Sequence, residues 1–176
     1  KGYIKTDRHM RTSKEHIYAI GDVTGRIQLA HVASAQGVTA AENIAGKDAA
    51  MSYDLVPSCI FTIPEIGSVG MTEEQARKEG IQVIAKKFPY SACGKALAMG
   101  APDGFVKIIA DGETNKLLGC HIIGHTAAEL ISEAAAVMHF DGTVEDIDKT
   151  IHAHPTLSET VSEAALLALG RPIHTL

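Results

Sequence analysis

Two apolar, β-favouring runs at residues 105–110 and 116–123 flank the segment Asp111-Gly112-Glu113-Thr114-Asn115, and this arrangement constrains the fold more than any other stretch. Turn-rich residues between two such runs join antiparallel neighbours. A third run at 82–88 adds a strand to the same sheet. Helical signals surround these strands. Thr72-x-x-Gln75 is a capping-box start, and Gly80 is a stop for the short helix between them. Thr126-x-x-Glu129 opens a helix with Leu130, Ile131, Ala134, Ala135, Val137 and Met138 spread widely around it, ending at Asp141-Gly142. So broad an apolar face predicts burial on two sides. A last helix is expected over 157–169, closed by Gly170 and Pro172. The class is α+β: an antiparallel sheet flanked by helices.

The first fifty residues read differently. Ile17, Tyr18, Ala19 and Ile20 form a brief apolar run stopped by Gly21, as expected of a buried parallel strand. The carboxyl end of such a strand is where an α/β sheet places its ligands, and Asp22 stands there. Gln28-Leu29-Ala30-His31 then opens a helix through Ala33, Val38, Ala41 and Ile44 to Gly46. Helix N-termini present unpaired N–H groups that favour an anion or an electron-rich carbonyl. Taken alone, Gly-Asp is a common turn, and His31 reads equally as a solvent-facing histidine at a helix start.

Composition removes several classes. With 176 residues, the chain holds one ordinary domain and part of another, and 45% hydrophobic content predicts a well-formed core. Sixteen basic residues are scattered among twenty-one acidic ones for a net charge of −5, which leaves no basic footprint for nucleic acid. No apolar run has the length of a membrane span, and the polar opening Lys1-Gly2-Tyr3-Ile4 is no signal peptide, so a soluble interior compartment is expected. Cys59, Cys93 and Cys120 are widely spaced with no Cys-x-x-Cys pair, and read as structural thiols. A Gly-x-Gly-x-x-Gly fingerprint is also absent.

The chemistry concentrates in His154-Pro155-Thr156-Leu157-Ser158-Glu159. Histidine, with an unperturbed pKa of about 6.5, exchanges protons near neutral pH, and a carboxylate beside it orients the ring. Pro155 pushes His154 toward an extended conformation and suits the first turn of a helix, so the imidazole is expected at a strand-to-helix corner. Glu159 has two readings: it grips the imidazole, or it closes a Thr156-x-x-Glu159 capping box. A third places His152 and His154 on one face of a strand, where with Glu159 they make a two-His, one-carboxylate metal site.

Ile151-His152-Ala153-His154-Pro155-Thr156-Leu157-Ser158-Glu159 resembles the C-terminal signature of the pyridine nucleotide–disulfide oxidoreductases, most of all their dihydrolipoamide dehydrogenase branch. Glutathione and trypanothione reductases carry a second acid after the Glu, where this chain has Thr160, and mercuric reductases end in paired cysteines. Thr12 to Asp22 resembles the family's second flavin-binding motif, and Val56 to Gly70 resembles the opening of its dimerisation domain. Ser91-Ala92-Cys93-Gly94-Lys95-Ala96-Leu97 departs from the pattern, and no role passes to Cys93 or Lys95.

The resemblance implies FAD held with the help of Asp22, Gln28, Leu29, Ala30 and His31, with NAD as cosubstrate. It also implies a general base at His154, oriented by Glu159 and presented across a homodimer interface to the partner's disulfide. Residues 1–52 are then the C-terminal part of an FAD-binding domain and 53–176 the dimerisation domain of a longer enzyme. That enzyme would serve dihydrolipoyl groups of 2-oxo acid dehydrogenase or glycine cleavage complexes, in a bacterial cytoplasm or mitochondrial matrix. The alternatives are an isolated dimerisation module without activity and a related reductase such as glutathione reductase. No role is expected for His9, His16, His121, His125, His139 or His174, and no metal.

Overall fold

The structure, a computed structural model, describes residues 2–174. The chain divides into two compact units, Lys1–Asp54 and Leu55–Leu176.

The first unit is organised by helix α1 (Ala30–Ile44), at the position the sequence predicts. Its buried face is largely polar. Val32 and Ala40 are buried together with Gln36, Thr39 and Asn43, whereas Val38 and Ile44 are exposed. Buried polar groups require partners, and these have them, the Asn43 side-chain oxygen excepted. Gln36 accepts from the Gly21 N–H at 2.6 Å and donates to the Tyr53 hydroxyl at 3.0 Å. Asn43 donates to the Thr39 and Ala49 carbonyls. The helix thus ties down the loops beside it through hydrogen bonds.

The parallel strand expected at residues 17–20 is not formed. Tyr18 makes one isolated antiparallel bridge to Arg11, and Ile17 and Ile20 are exposed. A strand needs a neighbour along its length to satisfy alternating N–H and C=O groups. Here the segment finds residues 10–12, through Ala19 N–H to the Met10 carbonyl and Thr12 N–H to the Ile17 carbonyl, while the Ile17 N–H turns back to the Lys14 carbonyl.

The second unit is built on five strands: β1 (Ser58–Ile60), β2 (Glu65–Gly70), β3 (Val83–Pro89), β4 (Phe105–Asp111) and β5 (Leu117–Gly124). The order is β1-β2-β5-β4-β3, antiparallel throughout. Strands β3, β4 and β5 lie within a residue or so of the runs read from sequence. Strands β1 and β2 were not anticipated, because Pro64, Gly67, Ser68 and Gly70 interrupt any β-favouring run. Gly67 has a steric reason: a Cβ there would collide with the Ala127 carbonyl.

That carbonyl belongs to α4 (Ala127–His139), which packs on β2 and β5, while α6 (Glu159–Ala168) packs on β3, β4 and α5 (Val144–Lys149). One apolar cluster joins Val106, Ile108 and Ile122 of the sheet to Ile131 of α4 and Val161 and Ala165 of α6. Two short helices, α2 (Glu73–Lys78) and α3 (Gly94–Ala98), complete the unit. The Thr72–Gln75 capping box of α2 forms with both bonds. The similar pattern at Thr126 does not. Thr126 adopts φ 57° and its hydroxyl donates to the His125 carbonyl. The Ala128 N–H of α4 is capped instead by Glu65 Oε2, at 3.0 Å from strand β2. Helices α3 and α5 were also unforeseen, although Thr143 and Asp146 form a capping box at the start of α5.

Gly124 at the end of β5 lies under the fully buried Tyr90, whose hydroxyl donates to the His125 carbonyl. A Cβ at Gly124 would enter the Tyr90 ring. Gly124→Ala is therefore expected to cost about 1–3 kcal/mol, read as a lower urea midpoint with an unchanged slope.

Candidate active site

The segment between α5 and α6 carries the site. Leu157 anchors it in the core, and the Thr160 and Val161 N–H groups bond back to the Leu157 and Ser158 carbonyls, forming a tight turn that delays α6 until Glu159. The helix expected from residue 157 thus begins two residues later. Pro155 lies ahead of the first helical turn, follows a cis peptide bond with His154, and no strand precedes it. The Thr156 hydroxyl donates to the Ala153 carbonyl, and the Cys93 thiol reaches the Thr156 carbonyl at 3.6 Å.

Glu159 resolves its two readings by doing both. Oε1 lies 2.8 Å from His154 Nδ1, and Oε2 accepts the Thr156 N–H at 2.8 Å. Only half of the capping box exists, since the Thr156 hydroxyl is turned to Ala153. The His154 side chain is 77% exposed, whereas that of Glu159 is 29% exposed. A carboxylate only accepts, so the neutral ring carries its proton on Nδ1 and presents the lone pair of Nε2 outward. Burial pushes the Glu159 carboxyl up, but the Thr156 N–H, the hydrogen bond from His154 and the charges of His154 and His174 together hold it below the usual carboxylate value. Its stabilising contribution is complete above the unfolded value, about 4.5, and is lost as pH falls through the lower folded one.

His152 does not join this pair. Its ring meets Glu133 of α4 at 2.7 Å and the Thr150 carbonyl at 2.8 Å. Residues 151–153 are not a strand, so the alternation that would align the two histidines is missing. Among the described residues no three His, Cys, Asp or Glu side chains converge as a metal site, which removes the two-His, one-carboxylate reading. The contacts of His152 and Cys93 carried no sequence signal, because each links residues far apart in the chain. All three cysteines are free. Burial, with the charge of Glu133, pushes the Cys120 thiol up to about 12, and burial also raises Cys59. The Cys120 thiol therefore stays protonated.

In the first unit, Asp22 lies exposed in the 3-10 turn Gly21–Thr24. Gln28, Ala30 and His31 are exposed at the start of α1, and Leu29, its half-buried N-cap, supplies no side-chain cap.

Residues 56–165 match the family described as "Pyridine nucleotide-disulphide oxidoreductase, dimerisation domain", and residues 1–37 match "Pyridine nucleotide-disulphide oxidoreductase". The chain belongs to the pyridine nucleotide-disulphide oxidoreductases. Among its relatives in this family, the dihydrolipoyl dehydrogenase of Chlamydia muridarum is 51% identical over 174 residues, 99% of this chain and 37% of that protein. One from Bacillus subtilis is 49% identical over 98% of this chain and 37% of its own length. The chain thus spans little more than a third of the curated relatives it matches. Solved structures of the family agree. LpdA from Mycobacterium tuberculosis superposes with a TM-score of 0.87 at 31% identity, over 93% of this chain and 36% of that one. The flavoprotein disulfide reductase RclA from Escherichia coli gives 0.88 at 29%, over 94% and 39%.

Removing the shared carboxylate tests the dual role. Glu159→Ala is expected to lower stability by about 1 kcal/mol and to accelerate exchange of the Thr156 amide, measured by hydrogen exchange.

Proposed function

We propose that this chain forms the C-terminal part of a flavin-dependent dihydrolipoamide:NAD oxidoreductase, with residues 1–52 completing the FAD-binding domain and 53–176 the dimerisation domain. The observation that carries this reading is the exposed His154 ring held through Nδ1 by Glu159. The names of the relatives at about half identity support the substrate class. So does Thr160, which stands where glutathione reductases carry a second acid: it is buried and its hydroxyl donates to the Leu157 carbonyl.

His154 Nε2 accepts a proton from the dithiol of a dihydrolipoyl group, so that a thiolate is available to attack the enzyme's redox disulfide. Thiolates are the nucleophiles in such exchange. Glu159 keeps Nδ1 protonated, aims the ring and stabilises the imidazolium, as the carboxylate of a hydrolytic triad does. Neither member of the redox disulfide is supplied by Cys59, Cys93 or Cys120, which are free and occupy separate places in the fold.

The first unit fits a flavin in the chemistry of its exposed groups. Asp22 would accept from a ribityl or ribose hydroxyl, and the N–H groups at the Gln28-Leu29-Ala30-His31 end of α1 would face an electron-rich carbonyl of the ring. FAD, when bound, carries the electron pair from the thiol–disulfide couple to NAD⁺.

A homodimer presents His154 to the partner's disulfide. The exposed apolar side chains Phe61, Ile63, Phe140 and Ile151 of the second unit suit burial against a second copy. Among the described residues no helix is long and apolar enough to cross a membrane. A cytoplasmic or mitochondrial-matrix enzyme acting on lipoyl domains of 2-oxo acid dehydrogenase or glycine cleavage complexes accommodates these features.

In the full-length flavoenzyme carrying this sequence, His154→Gln should slow flavin reduction by dihydrolipoamide about 10²–10⁴-fold with normal flavin content. Unchanged half-reaction kinetics in stopped-flow would eliminate the base assignment.

A further inference from the structure

The ring of His152 is 7% exposed, and each of its nitrogens faces an oxygen that can only accept. Nε2 lies 2.7 Å from a Glu133 carboxylate oxygen, and Nδ1 lies 2.8 Å from the Thr150 carbonyl. A neutral imidazole has one N–H and one lone pair, so it would leave a lone pair pointing at one of these acceptors. Only the imidazolium, with a proton on each nitrogen, satisfies both.

We propose that His152 is a positioning residue, a charged strut that ties the segment carrying His154 to Glu133 of α4 and so fixes the setting of the His154 ring against Glu159. The segment is then held from two sides. Before the base, His152 reaches α4, a helix packed on β2 and β5. After it, Glu159 at the start of α6 grips both His154 and the Thr156 N–H. The strut rests on the reading of His154 as the base, but its own charge state does not.

The groups acting on the ring come from each neighbouring element. Glu133 on α4 contributes most, through its hydrogen bond and then its charge; the Thr150 carbonyl at the end of α5 and the more distant Glu159 on α6 act in the same direction. Burial opposes them, and the net effect raises the imidazole above the ordinary histidine value of 6.5. A raised histidine contributes stability that is complete below that value and is lost as pH rises through the folded one. The strut therefore loosens on the alkaline side, and the rate of proton transfer at His154 falls with it.

The test uses the full-length flavoenzyme with labelled histidines, in wild type, His152→Gln, Glu133→Gln and His154→Gln. Imidazole nitrogen NMR should show the His152 titration displaced above the ordinary histidine value, with both nitrogens protonated in the charged form, and Glu133→Gln should move it down. A His152 ring that is neutral at pH 7 in the wild type overturns the proposal. In stopped-flow, His152→Gln should slow flavin reduction by dihydrolipoamide about 10-fold, as a small misplacement of a reacting group does, with flavin content and the KM for NAD⁺ unchanged. Glu133→Gln should shift the alkaline limb of the rate profile to lower pH. Normal rates and profiles in both variants, with His154→Gln impaired, sink the positioning role while the base stands. An unimpaired His154→Gln sinks the base and with it the positioning role, and leaves the NMR titration to decide the charge of His152.

Discussion

The site depends on one carboxylate whose two oxygens serve two purposes. Glu159 closes the start of α6 through the Thr156 N–H and holds the His154 ring through Nδ1. The first is a local capping contact, worth about 1 kcal/mol. The second joins partners of which one is largely exposed, and exposed pairs contribute about 0–1 kcal/mol. Stability alone does not account for an imidazole held on the surface. Because α6 packs on β3 and β4, the ring inherits its place from the apolar core rather than from a loop.

Local chemistry was legible in the sequence, and tertiary substitution was not. Thr72 and Gln75 cap α2 as read, since both bonds lie within one turn. Thr126 and Glu129 show the same pattern and fail: the Thr126 hydroxyl turns to the His125 carbonyl, and Glu65, sixty-three residues from Ala128, caps the Ala128 N–H. In α1, Val38 and Ile44 face outward while Gln36 and Asn43 turn inward to bind loop backbone, an inversion that residue type does not reveal. The short run at residues 17–20 has β-favouring side chains but only one bridging partner. The His154–Glu159 pair was readable because five residues separate its members. The His152–Glu133 pair, nineteen apart, was not.

Among the described residues, three histidine–glutamate pairs occur in the second unit, and burial sets them apart. His154 on Glu159 is mostly exposed, with its outer nitrogen presented to solvent. His152 on Glu133 is enclosed, with both nitrogens engaged. His174 on Glu163 joins an exposed ring to a buried acid, and Glu163 also accepts the His174 N–H, fastening the segment after α6 to the helix that precedes it. One pair of residue types thus yields an exposed ring held by an acid, an internal tie and a tail anchor, and sequence proximity reveals little about which.

Strand β2 meets α4 through two residues of one face: Glu65, which caps the Ala128 N–H, and Gly67, whose missing side chain admits the Ala127 carbonyl. A slip of one position along β5 would offer Pro64 or Ile66 in place of the acid and Ile66 or Ser68 in place of the gap, and would turn every side chain of the strand to the opposite face. Helix docking therefore works as a checksum on sheet alignment. A β2 strand slipped by one residue against β5 could not seat α4 in this way.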